Sequence, residues 1–459
     1  MNKKFAFILV FASIILGVFQ WNHSVSAETD KPKTALSDIV FIESYNSNSY
    51  AINSEGQLWA WGFNQDGRLE ISHKVNLYVP TLLNVEGAKF SKVRTDTFHS
   101  IALTQEGLVY TWGSRYADST TPRKVSSLSN VVDIAVGEEH YLALDSTGKL
   151  WGWGSNEHGQ LSHALQKKIY AEPVEITEVK DVKSIAAISW GSFIVKNDGT
   201  VWGWGTYNNH SFSPTQLSQM KDIHSIKRNM AVDARGDVWV WDMDNPFQNQ
   251  IKHHFPVSVI DFDYGNDYLA VTQDGSVWSW GIHSQPTQIK GIRKTTAVAS
   301  GYTTTYLLDQ RGIVYSLGDN QFGQLGINKV DVKKTQTPLV VHRPIRVQVN
   351  SKDIQMNVSP QIIDNSVYVS IRGVFEALGA EVKWDSSKRN EVLITKGNLS
   401  IRLTAGESFA VVNGSRIKIG TPAKFLNDSI MVPLRLISET IGAKVEWDDP
   451  NYMVKIQVN

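Results

Sequence analysis

One short pattern recurs seven times along the chain and constrains its fold more than any other feature. In each copy a glycine is followed three residues later by an aromatic side chain and, two residues after that, by a second large apolar side chain. The clearest copy is Gly148, Trp151 and Trp153. The seven glycines are 37 to 51 residues apart: Gly56, Gly107, Gly148, Gly199, Gly236, Gly275 and Gly312. A period of this size predicts a stacked or circular array of one supersecondary unit.

Each unit is predicted to form four short antiparallel strands. In the third unit, Val131–Val136 is predicted as an inner strand, Tyr141–Leu144 as a second strand and Lys149–Trp153 as a third. The hairpin turn Asp145–Gly148 ends on a glycine, which adopts a positive φ at little cost. A proline-led segment then predicts an outer edge strand, because proline has no N–H to donate to a further strand. These prolines are Pro80, Pro122, Pro173, Pro214, Pro256, Pro286 and Pro338.

Four strands in each of seven units predict a mainly β fold, a seven-bladed β-propeller over residues 38–342. A smaller α+β domain is predicted over residues 345–459. The first unit begins at its inner strand, Ile39–Ile42, and the seventh ends with the outer strand Pro338–Val341. We expect Pro338–Val341 to complete the same blade as the N-terminal strands and so to close the ring.

Eleven of the 15 tryptophans occupy the paired aromatic positions. Because the two positions are two residues apart on a strand, their side chains stand on the same face. They would either form a surface on which sugars stack or pack between neighbouring blades, where a flat ring fills the wedge. Their constant phase within a strand favours packing. Trp190 lies outside this register and is a better candidate for an exposed contact, although a place in the core is still favoured for it.

The repeats resemble the family of the regulator of chromosome condensation, RCC1, over about residues 38–341. The resemblance is carried by Ala135–Leu144 with Gly148, by Trp153–Leu161 and by Asp319–Gly326, and more loosely by Phe63–Leu69. Units four, five and six lack the Asn-x-x-Gly-Gln-Leu tail that ends the better matches. The resemblance implies the propeller fold.

Function does not follow from that fold alone. Eukaryotic members of the family exchange nucleotide on a Ran-type GTPase in the nucleus, a partner that an exported chain would not meet. The repeats are also similar to exported propeller-type β-lactamase inhibitory proteins, which bind a protein across one propeller face. This similarity implies a binding role and identifies no interface residue.

The C-terminal region contains a second duplication. Val367–Arg372 aligns with Ile430–Arg435, and Val382–Asp385 aligns with Val445–Asp448, with an offset of 63 residues in both pairs. Each half is predicted as a strand, a short amphipathic helix and further strands. The region resembles the copper amine oxidase N-terminal domain of exported bacterial proteins.

This resemblance does not imply a copper site. Copper sites in proteins use imidazole ligands, and no histidine follows His342. In the oxidases the domain is separate from the catalytic part, so we expect a spacer or a cell-wall contact. Arg372 and Arg435 are candidate anion contacts, but structural hydrogen bonding is favoured for both.

The N-terminus has the order of a secretory signal. Lys3 and Lys4 precede the apolar run Phe5–Phe19, and the small residues of Val25–Ala27 follow. We predict a signal peptide over residues 1–27 and a linker over residues 28–37. The alternative is an uncleaved membrane anchor, although the run is short for a bilayer. We therefore expect a secreted protein of a Gram-positive type bacterium, with cell-wall association as a further expectation and no membrane insertion after cleavage.

Composition narrows the chemistry. The 45 basic and 45 acidic residues balance, whereas a nucleic-acid-binding chain normally carries a basic excess. Nucleic acid is therefore not an expected partner. The absence of cysteine excludes disulfides, thiolate metal sites and thiol nucleophiles. We expect a monomer without a cofactor.

Local candidates for chemistry are few. His99 and His140 each lie eight residues before a unit glycine, and His140 follows Glu138 and Glu139. General acid–base work is conceivable there, but packing is favoured. The segment Asp242–Asn245 lacks the glycine and the final glutamate of a calcium loop. His253 and His254 are adjacent, so they point in opposite directions on a strand. We assign no catalytic, cofactor-binding or metal-binding residue.

Three classes of function stay open. The leading hypothesis is an exported non-enzymatic binding protein whose propeller face recognises an extracellular protein or a cell-wall glycan. The alternative is a hydrolase or lyase that acts on a polysaccharide from the central channel. A channel mouth where His99, His140 and two or more carboxylates converge would favour the enzyme. A purely structural surface protein would show no ligand-sized concavity.

Overall fold

The structure is a computed structural model of the 459-residue chain. It describes residues 32–64, 67, 69, 76–113, 121–242, 245–292, 294–354, 356, 358–384, 390–419, 421–426 and 429–458, without the side chains of 435 and 437–439. The predicted signal peptide lies outside the described residues. Within those ranges, no helix has the length and apolar character needed to cross a membrane.

Between Ile39 and Val340 the described residues form seven four-stranded antiparallel sheets, each with its strands side by side in chain order. We number them 1 to 7. Sheet 1 contains β1 to β4 (Ile39–Tyr45, Asn48–Asn53, Leu58–Gly62, Leu77–Leu83) and sheet 2 contains β5 to β8 (Phe90–Thr95, His99–Thr104, Val109–Gly113, Arg123–Lys124). Sheet 3 contains β9 to β12 (Val131–Val136, His140–Asp145, Leu150–Ser155, Ile169–Glu175) and sheet 4 contains β13 to β16 (Val182–Ile188, Gly191–Lys196, Val201–Tyr207, His210–Gln216).

The remaining three sheets follow the same plan. Sheet 5 contains β17 to β20 (Ile223–Lys227, Met230–Asp233, Val238–Trp241, Gln250–His253). Sheet 6 contains β21 to β24 (Val259–Tyr264, Tyr268–Thr272, Val277–Trp280, Thr287–Ile289). Sheet 7 contains β25 to β28 (Thr295–Ser300, Thr304–Asp309, Val314–Asp319, Lys334–Val340).

The first strands of the sheets surround a central axis. Strand β1 packs against both β5 and β25, so the chain closes into a ring. At six of the junctions the carbonyl of the hairpin glycine accepts a hydrogen bond from the first residue of the next inner strand, at 2.8 to 3.1 Å. The donor and acceptor pairs are Phe90 and Gly56, Val131 and Gly107, Ile223 and Gly199, Val259 and Gly236, Thr295 and Gly275, and Ile39 and Gly312. The hairpin glycines have φ between +75° and +85°.

The predicted closure by a shared blade is wrong. Strand β28 pairs with β27 in its own sheet, and the edge of β3 is already occupied by β4. The ring closes through contacts between two complete sheets. Besides the Ile39–Gly312 bond, Leu36 N donates to Val341 O at 2.8 Å, and Ala35 forms an isolated bridge with His342. We call these contacts between sheets 7 and 1 the closure seam.

The prediction that proline opens each outer strand holds in only part of the ring. Pro122 and Pro286 directly precede β8 and β24, but Pro80 and Pro173 lie inside β4 and β12. In both of these strands the pairing register shifts close to the proline. Such an irregularity removes the need for the missing N–H, which is why an interior proline is accepted there.

The packing interpretation of the paired tryptophans is confirmed. The second tryptophan of each pair is buried, whereas the first is half-buried: buried Trp61, Trp112, Trp153, Trp204, Trp241 and Trp280. Each of three examples packs against an aromatic ring on the second strand of the preceding sheet. These pairs are Trp61 with Tyr306, Trp112 with Tyr50 and Trp241 with Phe193, with centroids 5.1 to 5.9 Å apart. The second ring is therefore the wedge between neighbouring sheets.

The Asn-x-x-Gly-Gln-Leu tail supplies a partner for the wedge indole. Asn156 Oδ1 accepts a hydrogen bond from Leu161 N at 2.9 Å, and Gln160 Oε1 accepts one from His158 N at 2.9 Å, which closes the loop. The carbonyls of Gln160 and Leu161 then accept the indole N–H of Trp204, at 3.0 and 3.1 Å. The buried donor is thus satisfied.

Within the described ranges, two units without the tail, the fourth and the fifth, leave this donor unmatched, as does the first unit with its looser tail at Trp112. In the seventh unit, which has the tail, Gln324 O accepts the indole N–H of Trp61 at 2.8 Å. The fourth and fifth units lack the tail, and the buried indole nitrogens of Trp241 and Trp280 have no partner among the described residues.

The C-terminal domain is an α+β unit built on three sheets. One sheet has the order β30-β29-β41-β40, a second has the order β31-β32-β39-β38, and the third contains β33 to β37 in chain order. The first elements are β29 to β32 (Arg346–Val349, Lys352–Ile354, Gln361–Ile363, Ser366–Ser370), α1 (Ile371–Ala377) and β33 to β35 (Glu381–Trp384, Glu391–Lys396, Leu399–Thr404). They are followed by β36 to β39 (Phe409–Val412, Ser415–Lys418, Lys424–Leu426, Ser429–Pro433), α2 (Leu434–Ile441), β40 (Lys444–Asp448) and β41 (Met453–Gln457).

The duplication predicted from the sequence forms the centre of this domain. Strands β32 and β39, the two copies of the aligned segment, pair with each other through Tyr368–Pro433 and Val369–Val432. Both helices begin directly after these strands, so Arg372 lies in the first turn of α1. The mainly β class with a smaller α+β domain is confirmed.

We predict that Trp204→Phe lowers the stability of the ring more than Trp241→Phe does. Both substitutions remove part of a buried indole, but only Trp204 donates a hydrogen bond to a tail carbonyl. The substitution leaves the carbonyls of Gln160 and Leu161 without this donor, so the difference should be about 1 kcal/mol. Urea unfolding of the two variants, followed by circular dichroism, measures it. Equal losses would contradict the role given to the tail.

Candidate binding face and channel

Charged side chains from distant units meet across the axis of the ring. Glu43 of sheet 1 contacts Arg94 of sheet 2 at 2.6 Å and Arg228, at the end of β17, at 2.9 Å. Asp263 of sheet 6 contacts Lys227 at 3.1 Å and Arg228 at 3.0 Å. We call these five residues the channel cluster. Because they bridge opposite sides of the ring, they fill the channel with ion pairs.

Arg228 is the most connected member of the channel cluster. Its guanidinium donates to the carbonyls of Ser44, Tyr264 and Ser300, and it lies 4.8 Å from the centroid of the Tyr45 ring. Its backbone has a positive φ of 54°. One side chain therefore connects sheet 5 to sheets 1, 6 and 7.

Glu43 and Arg228 stay charged although both are buried. Burial by itself raises the pKa of Glu43, but Lys227, Arg94 and Arg228 outweigh this effect, so the pKa lies below its ordinary value. Burial by itself lowers the pKa of Arg228, but Asp263 and Glu43 raise it above its ordinary value. The pairing therefore offsets the cost of removing both charges from water.

Asp261 lies on the same inner strand as Asp263, and its pKa is shifted upward. Burial raises the pKa of Asp261 to about 6, although Lys227 and the N–H of Val298 partly oppose the rise. Its Oδ2 accepts the N–H of Val298 at 2.8 Å. Asp261 therefore carries a charge at neutral pH that the folded ring disfavours.

One side of the ring carries the turns that join each first strand to its second strand; we call it the turn face. Neighbouring turns bond to each other there, since Tyr302 N donates to Asn46 O and Glu138 N donates to Ser189 O, both at 2.9 Å. The opposite side carries the glycine hairpins, and we call it the hairpin face.

Exposed aromatic side chains stand on the turn face. Trp190 is 41% exposed and Tyr302 is 65% exposed. The ring of His158, from the tail of the third unit, stacks on Trp190 with centroids 4.4 Å apart. The stacked imidazole limits the motion of the indole, so Trp190 is presented as a fixed apolar surface. The favoured expectation that Trp190 lies in the core is wrong, and its exposure leaves it as a candidate for a contact.

A small cavity lies at the channel mouth on the turn face. Its volume is about 100 Å³, and its lining includes Tyr45, Asp96, Glu138, Ser189 and Arg228. Since these residues follow the first strands of five different sheets, the cavity lies over the axis. The volume suits the end of one side chain rather than a polysaccharide.

A larger cleft lies between sheets 2 and 3. It encloses about 430 Å³ and is lined by the stacked rings of Tyr141 and Trp153 together with Arg123, Tyr170 and Glu172. Its outer wall is β8, which has only two residues, whereas β12 has seven. The short outer strand explains why this junction is open. The volume is within the range of small-molecule pockets.

The structure buries the two candidate histidines. His99 Nδ1 lies 3.2 Å from Asp96 Oδ2. The Ser192 hydroxyl donates to Gln160 O at 2.6 Å, so the Nε2 proton of His140 bonds to Ser192 Oγ at 2.9 Å. Burial, followed by the charge of His99, lowers the pKa of His140 to about 3, so the ring is neutral.

These positions do not assemble the constellation that would favour an enzyme. His140 contacts a hydroxyl group inside the junction of sheets 3 and 4, whereas His99 contacts the carboxylate of Asp96. Asp96 Oδ1 also accepts the N–H groups of Phe98 and His99 at 2.6 Å. These hydrogen bonds stabilise the turn that contains Asp96 itself.

The other candidates are separated from the channel mouth. His253 is buried against Trp280, and His254 Nδ1 bonds to Asp237 Oδ2 at 2.9 Å. Met243 and Asp244 of the candidate acidic loop lie outside the described residues. Over the part of the chain that the structure describes, no group of three or more potential ligands could hold a metal ion.

Arg372, the arginine candidate whose side chain is described, forms an exposed ion pair, so its two predicted roles stay predictions. Arg372 Nε lies 3.5 Å from Glu376, one turn further along α1. The side chain of Arg435 lies outside the described residues.

Family models match both parts of the chain. Two models of the regulator of chromosome condensation (RCC1) repeat match residues 55–103 and 147–195, and residues 131–160. The model of the copper amine oxidase N-terminal domain matches residues 348–456. The chain carries RCC1 repeats followed by a copper amine oxidase N-terminal domain.

Similar curated proteins align with the RCC1 repeats. The E3 ubiquitin-protein ligase HERC2 of Mus musculus is 26% identical over 60% of this chain and 6% of that protein. Protein pim1 of Schizosaccharomyces pombe is 26% identical over 51% of this chain and 57% of that protein. The ultraviolet-B receptor UVR8 of Arabidopsis thaliana is 23% identical over 63% of this chain and 79% of that protein. The chain thus spans less than two thirds of the length of the first two relatives.

Solved structures also resemble this chain, although their TM-scores are low. Prp20p from Saccharomyces cerevisiae has a TM-score of 0.41 and 21% identity, over 66% of this chain and 77% of that chain. Human WBSCR16 has a TM-score of 0.39 and 18% identity, over 67% of this chain and 82% of that chain.

Sequence reasoning missed the channel cluster of the RCC1 ring, although a signal was present. Glu43, Arg94, Lys227 and Asp263 each lie four residues after the first residue of an inner strand. The same position holds alanine in sheets 3, 4 and 7: Ala135, Ala186 and Ala299. Two acids and two bases at one phase of a repeat indicate ion pairs across the axis.

We predict that Glu43→Gln destabilises the RCC1 ring by about 3 kcal/mol, because it leaves the buried Arg228 and two partly buried cations with one carboxylate fewer. The matched control is Glu175→Gln, which breaks the exposed Lys149–Glu175 pair at 3.0 Å and should cost no more than about 0.5 kcal/mol. Urea unfolding at pH 7 measures both changes. Similar small effects would show that the cluster contributes little to the ring.

We also predict that Asp261→Asn stabilises the ring at high pH. The folded-state pKa of about 6 lies above the ordinary value of 3.8, so the parent loses stability as the pH rises from about 4 to about 6. The amide carries no charge and avoids this loss. The stability difference between variant and parent should therefore grow by about 2–3 kcal/mol between pH 4 and pH 8. A difference independent of pH would contradict this assignment.

Proposed function

We propose that the chain is an exported non-enzymatic binding protein whose turn face recognises an extracellular protein. The observation that carries the proposal is the pair of exposed aromatic residues, Trp190 and Tyr302, beside a cavity sized for one side chain. Protein interfaces concentrate their binding energy in a few aromatic anchors set around a small pocket. The turn face has this arrangement.

A protein fits this face better than a glycan. Sugars bind along extended aromatic surfaces, but the second tryptophan of each pair is buried between sheets. The turn face offers separate aromatic contacts around a polar mouth instead. A folded partner can reach several such contacts at once.

Binding is also favoured over catalysis in the channel. The channel cluster occupies the axis with ion pairs, and the described contacts of His99 and His140 hold turns and junctions together. A polysaccharide chain would have to displace these buried pairs before it entered the channel. Displacing a buried ion pair has a large free-energy cost.

The names of the relatives support a recognition role. One is a receptor, UVR8, and another is the X-linked retinitis pigmentosa GTPase regulator homolog of Caenorhabditis elegans. HERC2 is named as a ligase, but the similarity covers only 6% of it, so no ligase activity is proposed here. The basic and apolar order of residues 1–27 supports export, and a contact of the C-terminal domain with the cell wall belongs to the same proposal.

A capture experiment with the full mature chain tests the proposal. We expect the immobilised protein to retain a secreted or wall-associated protein, and we expect the double variant Trp190→Ala, Tyr302→Ala to lose it. The control is Ile260→Ser, since Ile260 is 52% exposed at the start of an inner strand on the hairpin face. Loss of two aromatic anchors should weaken binding by about a hundredfold.

The retained protein is then purified and titrated against all three forms. Equal affinity for the parent and the double variant would reject the turn face as the binding site. Weaker binding by Ile260→Ser alone would place the site on the hairpin face.

A further inference from the structure

The C-terminal domain is docked at one particular place on the ring. Residues 326–330 follow the tail of the seventh unit and run between sheet 7 and sheet 1. In this segment Asn328 is fully buried and has a positive φ of 56°. Its N–H donates to the carbonyl of Tyr78, on the outer strand of sheet 1, at 3.0 Å. The segment therefore belongs to the closure seam.

The same residue is the attachment point of the C-terminal domain. The carbonyl of Asn328 accepts the N–H of Ile362 at 3.0 Å, and its Nδ2 lies 3.4 Å from the hydroxyl of Tyr452. Lys329 forms a parallel bridge with Ile362. Asn328 thus joins sheet 1, the seventh unit and the C-terminal domain through its two backbone groups and its side chain.

Apolar packing reinforces this junction. Val330 packs against a small core of the C-terminal domain that contains Val358, Ile363, Tyr368 and Met431. An apolar residue of the ring segment is therefore shared with the domain. Burial of this kind contributes more free energy than the single hydrogen bonds beside it.

A second contact reaches the other part of the closure seam. The ring of His342 stacks on Tyr452 with centroids 5.6 Å apart, and Arg343 Nη2 donates to Asn451 O at 2.9 Å. The backbones of these two residues hold the N-terminal segment, because His342 bridges Ala35 and Arg343 N donates to Thr34 O at 2.9 Å. The domain therefore contacts both elements that close the ring.

We infer that the C-terminal domain is a clasp that holds the RCC1 ring closed, rather than a spacer alone. The other junctions of the ring join consecutive units, which a short connection keeps close together. Sheets 7 and 1 are at opposite ends of the repeat array, so forming their junction has the largest cost in loop-closure entropy. A domain that binds both sides of this junction lowers the chance that it opens.

Hydrogen exchange of the full chain, followed by mass spectrometry, tests the clasp. We expect Tyr452→Ala to speed exchange at the closure seam, in peptides over residues 34–45 and 334–346, by about tenfold, as the loss of one stacking contact and one hydrogen bond implies. Peptides from the junction of sheets 3 and 4 should exchange at the parent rate. Tyr452 has no described contact with sheet 1. Faster exchange in the peptide over residues 34–45 therefore shows that the loosening is transmitted through the seam.

Two further variants make the result decisive. Phe409→Ala removes a partly exposed aromatic of the same domain, on β36, and should leave the seam unchanged. Val330→Ser loosens docking from the ring side and leaves the sequence of the C-terminal domain intact. Faster seam exchange in both Tyr452→Ala and Val330→Ser, with β34 and β35 still protected in Val330→Ser, supports the clasp. Parent rates at the seam in both variants would overturn it.

Discussion

A ring of separate sheets is stable only if every junction between neighbours is filled and its polar backbone groups are bonded. In this chain two residues of each repeat, the second tryptophan and the hairpin glycine, meet these two requirements. The wedge indole fills the space between two sheets, and the hairpin glycine offers its carbonyl to the next inner strand. A side chain at the glycine would be strained at φ near +80°, which explains why the repeat keeps glycine at this point.

The axis of the ring is held by a different interaction. Where several sheets converge, Glu43 and Asp263 share Lys227 and Arg228 in an ion network, and Glu43 also pairs with Arg94. Such a network adds little stability in comparison with apolar packing. Removing any one of its members, however, leaves an unpaired charge, which is strongly destabilising. It therefore fixes which sheets face each other. Because the axis is filled, the recognition surface that we propose lies on the turn face with its exposed aromatic residues.

The sequence predicted the local structure well and the long-range contacts poorly. The phase of Gly148, Trp151 and Trp153 was sufficient to predict the hairpin and the buried second ring, since both depend on residues a few positions apart. The closure was predicted wrongly because the pairing of Pro338–Val341 depends on whether β3 already has a neighbour. The channel cluster joins residues up to 220 positions apart, such as Glu43 and Asp263, and only a comparison of equivalent positions reveals it. For the same reason, the docking of Tyr452 at the seam had no local signal.

The closed ring depends on the wedge position of the second tryptophan in each repeat. Hydroxyl-radical footprinting of the mature full chain measures the exposure of each tryptophan directly. We expect Trp190 to be oxidised fastest, the first tryptophans of the pairs to react at intermediate rates, and Trp61, Trp112, Trp204 and Trp241 to be strongly protected. Oxidation of these four at the rate of Trp190 would contradict the packing between sheets and, with it, the closed ring.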